Sequence, residues 1–136
     1  MTQKEHRYNH ALHNYKACQA LKKMQDYPDW VITTAFYSAL QFVKYKMFPL
    51  ELEGKTFNEF ENYFILQKQK GNRDSKHTML VKLVKEQVRH IHPYYRGLRQ
   101  YCDNARYLNY KVNPQEVEFS LRYLEEIKKV CDFSHP

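Results

Sequence analysis

Residues 27–48 read YPDWVITTAFYSALQFVKYKMF, and this stretch decides the fold class. Pro28 suits the first turn of a helix, because the N–H that proline lacks would be unpaired there. Large apolar residues recur on one side at helical spacing: Trp30, Tyr37, Leu40 and Val43. Small residues such as Ala35 and Ala39 let a neighbouring helix approach closely. The stretch predicts a helix over residues 29–48, the central and most buried helix of a bundle.

The rest of the chain continues the helical pattern, and no run alternates with period two for long enough to indicate a sheet. A helix is predicted over residues 4–25, and Pro49 and Gly54 bracket a loop. Four more helices are predicted, which begin at a Thr56/Glu59 capping box, near Ser75, at Pro93 and at an Asn113 cap before Pro114. Gly71 is expected to end the third. Residues 1–136 are therefore predicted to form a single all-α domain, an up-and-down bundle of about five to six helices.

Composition limits the chemistry. The three cysteines, Cys18, Cys102 and Cys131, lack metal-ligand spacing and are expected to be reduced apolar residues. Three scattered glycines exclude a Gly-rich phosphate loop, and the sequence has neither an HExxH motif nor the paired His-x-x-Glu cluster of di-iron bundles. Neither a cofactor nor a metal is therefore predicted. Residues 1–10 are charged, unlike a secretion signal, and the apolar stretch 30–43 is shorter than the ~20 residues that span a bilayer. A cytoplasmic protein with no membrane partner is expected.

The positive charge is concentrated in one third of the chain. The net charge is +7, and residues 68–111 hold eleven Lys and Arg against three acidic residues, a net +8. Tyrosines are interleaved with these cations, a mixture that suits RNA or another single strand. The alternative is a solvated surface over a tyrosine core. Four residues of this segment are candidate binding residues: Arg89, Tyr95, Arg96 and Arg99.

Several stretches together carry a resemblance to a known family: DYPDW followed by VITTAFYSALQ, a helix opening SKHTML, YYRGLRQYCDNARY, and a capped last helix. From about residue 8 to 130 the chain resembles a small bacterial HEPN domain, chiefly through Trp30, Tyr37, Ala39, His77, Tyr95, Leu98, Ala105, Arg106 and Tyr107. The resemblance implies a helical bundle, frequent homodimers, and roles in RNA cleavage, toxin–antitoxin pairs or phage defence. An antitoxin or a minimal nucleotidyltransferase would be a typical protein partner.

Ribonuclease members of the family carry an Arg followed, after four to six residues, by a His. After Arg106 the three positions where that His would fall hold Lys111, Val112 and Asn113. The matching spacing occurs between Arg7 and His13 in the first helix. The catalytic candidates are His77, Arg106, His13 and Arg7.

A polar cluster of Tyr37, His77, Asp103 and Arg106 is the predicted binding site. Each of two residues also has a structural interpretation. Arg106 could anchor a helix end beside Asp103, and His77 could be a helix cap or a hydrogen-bond partner in the core. The leading hypothesis is an RNA- or nucleotide-binding homodimer without the usual cleavage pair. A divergent metal-independent ribonuclease and a protein-binding bundle are the alternatives.

Overall fold

The computed structural model describes residues 2–132, and an all-α bundle accounts for nearly all of them. The predicted fold class is confirmed. Six α-helices follow in order: α1 (Gln3–Met24), α2 (Pro28–Met47), α3 (Phe60–Gln69), α4 (Lys76–Gln87), α5 (His92–Asp103) and α6 (Pro114–Asp132). A short 3-10 turn (Arg89–Ile91) precedes α5, and a π-helical turn (Asn104–Leu108) follows it. A two-stranded hairpin, β1 (Leu50–Leu52) and β2 (Lys55–Phe57), separates α2 from α3.

Helix α2 is the central helix, as its sequence predicts. Twelve of its 20 residues are buried, and it packs against α1, α5 and α6. Small side chains bring α1 close, and the Ser38 hydroxyl donates a hydrogen bond of 2.8 Å to the Ala11 carbonyl oxygen. Ala35 and Ala39 of α2 are also buried. The exposed residues of α2 are therefore held by a helix that is packed on most of its surface.

Trp30 departs from the prediction that it belongs to the apolar face of α2. Its side chain is 52% exposed at the first turn of the helix. Helical spacing identifies residues on one side of a helix, but it cannot say where the neighbouring helix stops. Here α1 ends at Met24 and the chain turns at Gln25, which has a left-handed φ of 63°.

The predicted Thr56/Glu59 capping box is wrong. Thr56 lies in β2 opposite Glu51, and the side chain of Glu59, the residue before α3, makes no capping hydrogen bond. The strands turn through Glu53 and Gly54, which both have positive φ, the geometry that matches the twist of a tight hairpin. The loop expected between Pro49 and Gly54 is therefore a small antiparallel hairpin.

The predicted Asn113 cap of α6 is confirmed, and Ser75, predicted as the approximate start of α4, caps that helix. Ser75 accepts a hydrogen bond from the Thr78 backbone N–H at its hydroxyl, at 3.2 Å, and so caps α4. The Asn113 side-chain oxygen accepts from the Gln115 N–H at 2.7 Å at the start of α6. Gly71 follows α3 with a φ of 93°, a conformation that favours glycine. The Ser75 cap fixes the start of α4, the helix that carries His77.

The three cysteines, Cys18, Cys102 and Cys131, are free thiols, as predicted, and the structure buries all three. Within residues 2–132, no helix combines the length and the apolar character needed to cross a bilayer.

Candidate functional site

A cleft of about 410 Å³ opens where α2, α4, α5 and the π-helical turn meet. We call it the His77 cleft. It brings together all four residues of the predicted polar cluster, and its polar lining residues are Tyr37, His77, Arg99, Asp103, Asn104 and Arg106. The ring of Phe36, the thiol of Cys102 and the side chains of Tyr107 and Leu108 complete the lining. Residues that are distant in the sequence therefore share one open site.

The π-helical turn presents Arg106 to this cleft. The Asn109 N–H donates to the Asn104 carbonyl oxygen at 2.9 Å, which closes a wider turn than an α-helix has. Ala105 stays buried in that turn, while Arg106 and Tyr107 are exposed. Such turns occur often at functional sites, because they re-aim side chains within a helix. Arg106 thus lies beyond the end of α5, which stops at Asp103.

Arg106 and Tyr37 form a pair across the mouth of the cleft. One Arg106 Nη1 donates to the Tyr37 hydroxyl oxygen at 2.6 Å, and the guanidinium lies over the Tyr37 and Tyr107 rings at 5.7 and 5.1 Å. Burial raises the pKa of Tyr37 despite the opposing positive charge of Arg106. The hydroxyl therefore keeps its proton at neutral pH. It can donate a hydrogen bond to a ligand while it accepts one from Arg106.

The partner of Asp103 is Arg99, one turn back on α5. Arg99 Nε lies 3.5 Å from Asp103 Oδ2, and Arg99 Nη1 donates to the Thr78 hydroxyl at 3.4 Å. The interpretation of Arg106 as a helix-end anchor beside Asp103 is therefore wrong. The buried Nε of Arg99 has no hydrogen-bond partner among the described residues. That nitrogen has no solvent-exposed surface and faces the Asp103 carboxylate, so a ligand would have to meet the other N–H groups of Arg99.

His77 stands opposite, on the first turn of α4. Its ring lies 5.6 Å from the Phe36 ring and 6.5 Å from the Tyr37 ring, while Ser75 provides the helix cap. Burial, followed by the positive charge of Arg99, lowers the pKa of His77 below its usual value of 6.5. The imidazole is therefore neutral at pH 7, and one ring nitrogen can accept a proton.

Cys102 borders the same cleft as a protonated thiol. Burial raises its pKa to about 11, so the thiolate that would act as a nucleophile is scarce at neutral pH. Among residues 2–132, no three His, Cys, Asp or Glu side chains are grouped closely enough to hold a metal ion.

Three predicted binding residues lie outside the cleft. Tyr95 is fully buried, with its ring 5.7 Å from that of Phe36, so it supports the cleft as a core residue and cannot present its ring to a base. Arg89 and Arg96 are exposed beside the α4–α5 junction. After burial, which is the largest cause, their positive charges and that of Lys85 contribute to the lowered pKa of His92.

Three lysines of the basic segment form ion pairs, two with acidic residues from other parts of the chain and one with Asp74, which lies within the segment. Lys70 pairs with Glu53 at 2.7 Å, and Lys76 pairs with Glu61 at 3.0 Å. Lys82 pairs with Asp74 at 2.8 Å. The basic face that a ligand meets is consequently narrower than the charge count of residues 68–111 indicates.

The other Arg and His candidates do not join the cleft. Arg7 forms an ion pair with Glu59 at 3.0 Å and connects α1 to the start of α3. Its side chain is 14% exposed, whereas His13 is an exposed residue of α1. Arg7 therefore acts as a structural guanidinium, and the Arg7 and His13 spacing does not build a shared site.

A second cleft, of about 390 Å³, adjoins the first, because Tyr37 and Arg106 line both. We call it the Trp30 cleft. Sequence reasoning missed its other polar and aromatic lining: His10 and Asn14 from α1, and Trp30, Thr33, Thr34 and Gln41 from α2. A signal was present, since positions 30, 34, 37 and 41 of α2 form one helical stripe of polar and aromatic residues.

Taken together, the His77 cleft offers two guanidinium groups, a protonated phenol, a neutral imidazole and one carboxylate. Its lining carries one more positive than negative charge, which favours an anion, and its carboxylate adds an acceptor for a hydroxyl group. A phosphate joined to a ribose has both features. Comparison of this chain with protein-family models, with curated proteins and with solved structures finds no match.

Proposed function

We propose that this chain is a HEPN-like domain that binds single-stranded RNA, or a nucleotide-bearing partner, with a phosphate in the His77 cleft. One observation carries the proposal: Arg99 and Arg106 approach the same cleft from two consecutive elements, with the protonated Tyr37 hydroxyl beside them. Guanidinium groups bind phosphate oxygens through paired N–H donors, which makes Arg the preferred residue for this contact.

Arg106 has donors to spare for a ligand. A guanidinium carries five N–H donors, and the bond to Tyr37 uses one of them. The same bond holds the side chain in place, which reduces the conformational entropy that binding would otherwise cost. Arg106 is thus oriented for an anion that enters from solvent.

The rest of the lining suits a nucleotide better than a free anion. The Asp103 side chain is 49% exposed, and a carboxylate in this position can accept a hydrogen bond from a ribose hydroxyl. Tyr107 is 68% exposed next to Arg106 and presents a ring on which a base can stack. A 2′-hydroxyl contact at Asp103 would favour RNA over DNA.

The first prediction concerns salt. Binding of a short oligouridylate should weaken steeply as salt rises, because each neutralised phosphate releases counterions. One phosphate at Arg99 inside the His77 cleft and the next phosphate of the strand at Arg106 on its rim predict a slope of log affinity against log salt of about −1.4, from about −0.7 for each phosphate on a single strand. Fluorescence anisotropy over a salt series measures this slope. A clearly steeper slope would mean that Lys85, Arg89 and Arg96 also contact the strand.

Binding that is undetectable at low salt, or a flat salt series, would contradict the proposal. A deoxyribose strand of the same sequence is the matched control for the ribose contact. We expect it to bind more weakly, with a similar slope, because its phosphates are unchanged and its 2′-hydroxyls are missing.

A second candidate function, a metal-independent ribonuclease, is favoured by the position of His77 in the same cleft as Arg106. A neutral His77 could take the proton of a 2′-hydroxyl, and the 2′-oxygen would then attack the adjacent phosphorus. The 5′-oxygen would leave with a proton from water, and Arg106 would stabilise the charge on the phosphate.

If the chain cleaves RNA in this way, the cleavage rate should fall on acidification. A base must be unprotonated to act, and the lowered pKa of His77 places the loss below pH 6.5, with a plateau above it. His77→Gln should reduce the rate by about 10²- to 10⁴-fold. The measurement is cleavage of labelled RNA in the presence of a chelator, across a pH series. His13→Gln is the matched control, and equal losses in both variants would remove His77 from the chemistry.

The resemblance also proposes a homodimer and an antitoxin or nucleotidyltransferase partner, in a toxin–antitoxin, defence or stress context. Such an interface needs exposed apolar surface. Tyr107, Leu108 and Tyr110, in and after the π-helical turn, are 68%, 80% and 66% exposed. These side chains adjoin the His77 cleft, so a partner seated on them would lie close to the proposed phosphate site.

A further inference from the structure

The proposed function assigns no role to the Trp30 cleft, although the Tyr37 and Arg106 pair separates it from the His77 cleft. The two clefts have similar sizes, about 390 and 410 Å³, and both fall in the range of sites that hold small organic groups. Their linings differ in charge. Arg106 supplies the charged group of the Trp30 cleft, whereas Arg99 and Asp103 add two more in the His77 cleft.

We propose that the Trp30 cleft holds the base of the nucleotide next to the one whose phosphate lies in the His77 cleft, stacked on Trp30. The proposal rests on the proposed function and narrows its ligand to a single RNA strand of at least two nucleotides. Arg106, which both clefts share, then contacts the phosphate that joins the two nucleotides.

Trp30 presents its indole ring to solvent at the cleft that bears its name. The indole is 52% exposed, although α2 is the most buried helix of the fold. A large aromatic ring left open at the rim of a cleft loses the stabilisation that burial would give it. A nucleobase is a flat, neutral group that can cover such a ring, and every base has a face for stacking.

Polar side chains complete the lining around Trp30. Asn14 presents an amide, which donates and accepts hydrogen bonds in the way that a base edge requires. The Gln41 Oε1 already accepts from Arg7 Nη1 at 3.4 Å, so Gln41 offers its NH2 group as a donor. Burial and then the positive charge of neighbouring His6 lower the pKa of His10, so its ring is neutral and also offers one donor and one acceptor. These side chains suit a neutral heterocycle better than a second phosphate.

The charge of Arg106 favours RNA over a second copy of this chain as the occupant of this surface. A two-fold interface places the same patch of both copies face to face. Centred on the Tyr37 and Arg106 pair, it would bring the two Arg106 guanidinium groups together, and like charges at an interface are costly. A phosphodiester is the complementary charge for this position.

The experiment uses Trp30 as its own probe, since it is the only tryptophan in the chain. Titration of the full chain with unlabelled oligouridylate should quench the indole emission until binding saturates. Uridine monophosphate should quench it much less, because its one phosphate favours the His77 cleft and leaves no second base for the Trp30 cleft. Anisotropy with a labelled strand then gives the affinity of each variant.

Trp30→Ala should weaken oligouridylate binding about tenfold through the loss of one stacked base, while Trp30→Phe, which keeps a ring, should retain most of the affinity. Phe119→Ala is the matched control. Phe119 is another exposed aromatic residue, at 37%, and it lies on α6 outside the lining of both clefts. Its loss should leave affinity and quenching unchanged.

The outcomes separate the two proposals. RNA could bind in a way that depends on Arg106 while the Trp30 emission stays unchanged and Trp30→Ala keeps full affinity. That result would overturn the Trp30 cleft proposal but not the phosphate site. Absence of salt-sensitive binding would overturn both. A different result would be Trp30 emission that changes with protein concentration in the absence of RNA, while sedimentation shows a dimer. It would assign this surface to a second copy of the chain and overturn the stacked-base proposal.

Discussion

Arg106→Gln should weaken the binding of single-stranded RNA by roughly 10- to 100-fold, because a hydrogen bond to a charged group contributes about 1.5–3 kcal/mol. It should also make the salt slope shallower by about 0.7, the contribution of one phosphate on a single strand. Thermal stability should change little, since Arg106 is exposed and its bond to Tyr37 lies at the surface. Anisotropy titrations at several salt concentrations, with a melting curve for each variant, test both statements.

Arg122→Gln is the matched control for Arg106→Gln. It removes the same charge from an exposed arginine of α6, whose guanidinium lies over the Phe119 ring at 5.7 Å. A loss of affinity common to both variants would assign binding to net charge alone and contradict a phosphate contact at Arg106. Arg106→Lys should give an intermediate loss, because an ammonium keeps the charge but lacks the planar fork of donors.

The sequence could predict the helices whose signals are local. Ser75 and Asn113 are capping residues because a short side-chain oxygen reaches the first backbone N–H groups of a helix, whatever the rest of the fold does. The spacing along α2 likewise identified the central helix. The hairpin was missed because its strands have three residues each and Glu53 takes a left-handed conformation that usually favours Asn or Gly.

The site was predictable only in part, because it depends on how the helices meet. The resemblance placed Tyr37, His77 and Arg106 in one cluster, and the structure brings them to one cleft. It could not show that Arg99 is the partner of Asp103, because either arginine is within reach of that carboxylate along a helix. His10 was missed because only the packing of α1 on α2 places it near Arg106.

The largest loss of stability should follow Phe42→Ala, at the centre of α2. Phe42 is 0% exposed, and the Tyr8 ring of α1 packs against it edge-on, with ring centroids 6.3 Å apart. The Tyr8 hydroxyl in turn donates to Asp132 at the end of α6, at 2.7 Å, so the cavity would open where three helices are joined. Truncation of a buried Phe costs about 3–5 kcal/mol, a large part of the 5–15 kcal/mol that typically holds a domain folded.

For a chain of this length, that loss lowers the melting temperature by about 10–17 °C, because the entropy of unfolding scales with the number of residues. Urea unfolding and calorimetry of the variant measure the change. Phe119→Ala makes the same truncation at an exposed site of α6, where the ring stacks on Tyr123, and it should cost about 0.5 kcal/mol. Equal losses in the two variants would contradict the central position of α2, because cavity cost depends on burial and not on the residue removed.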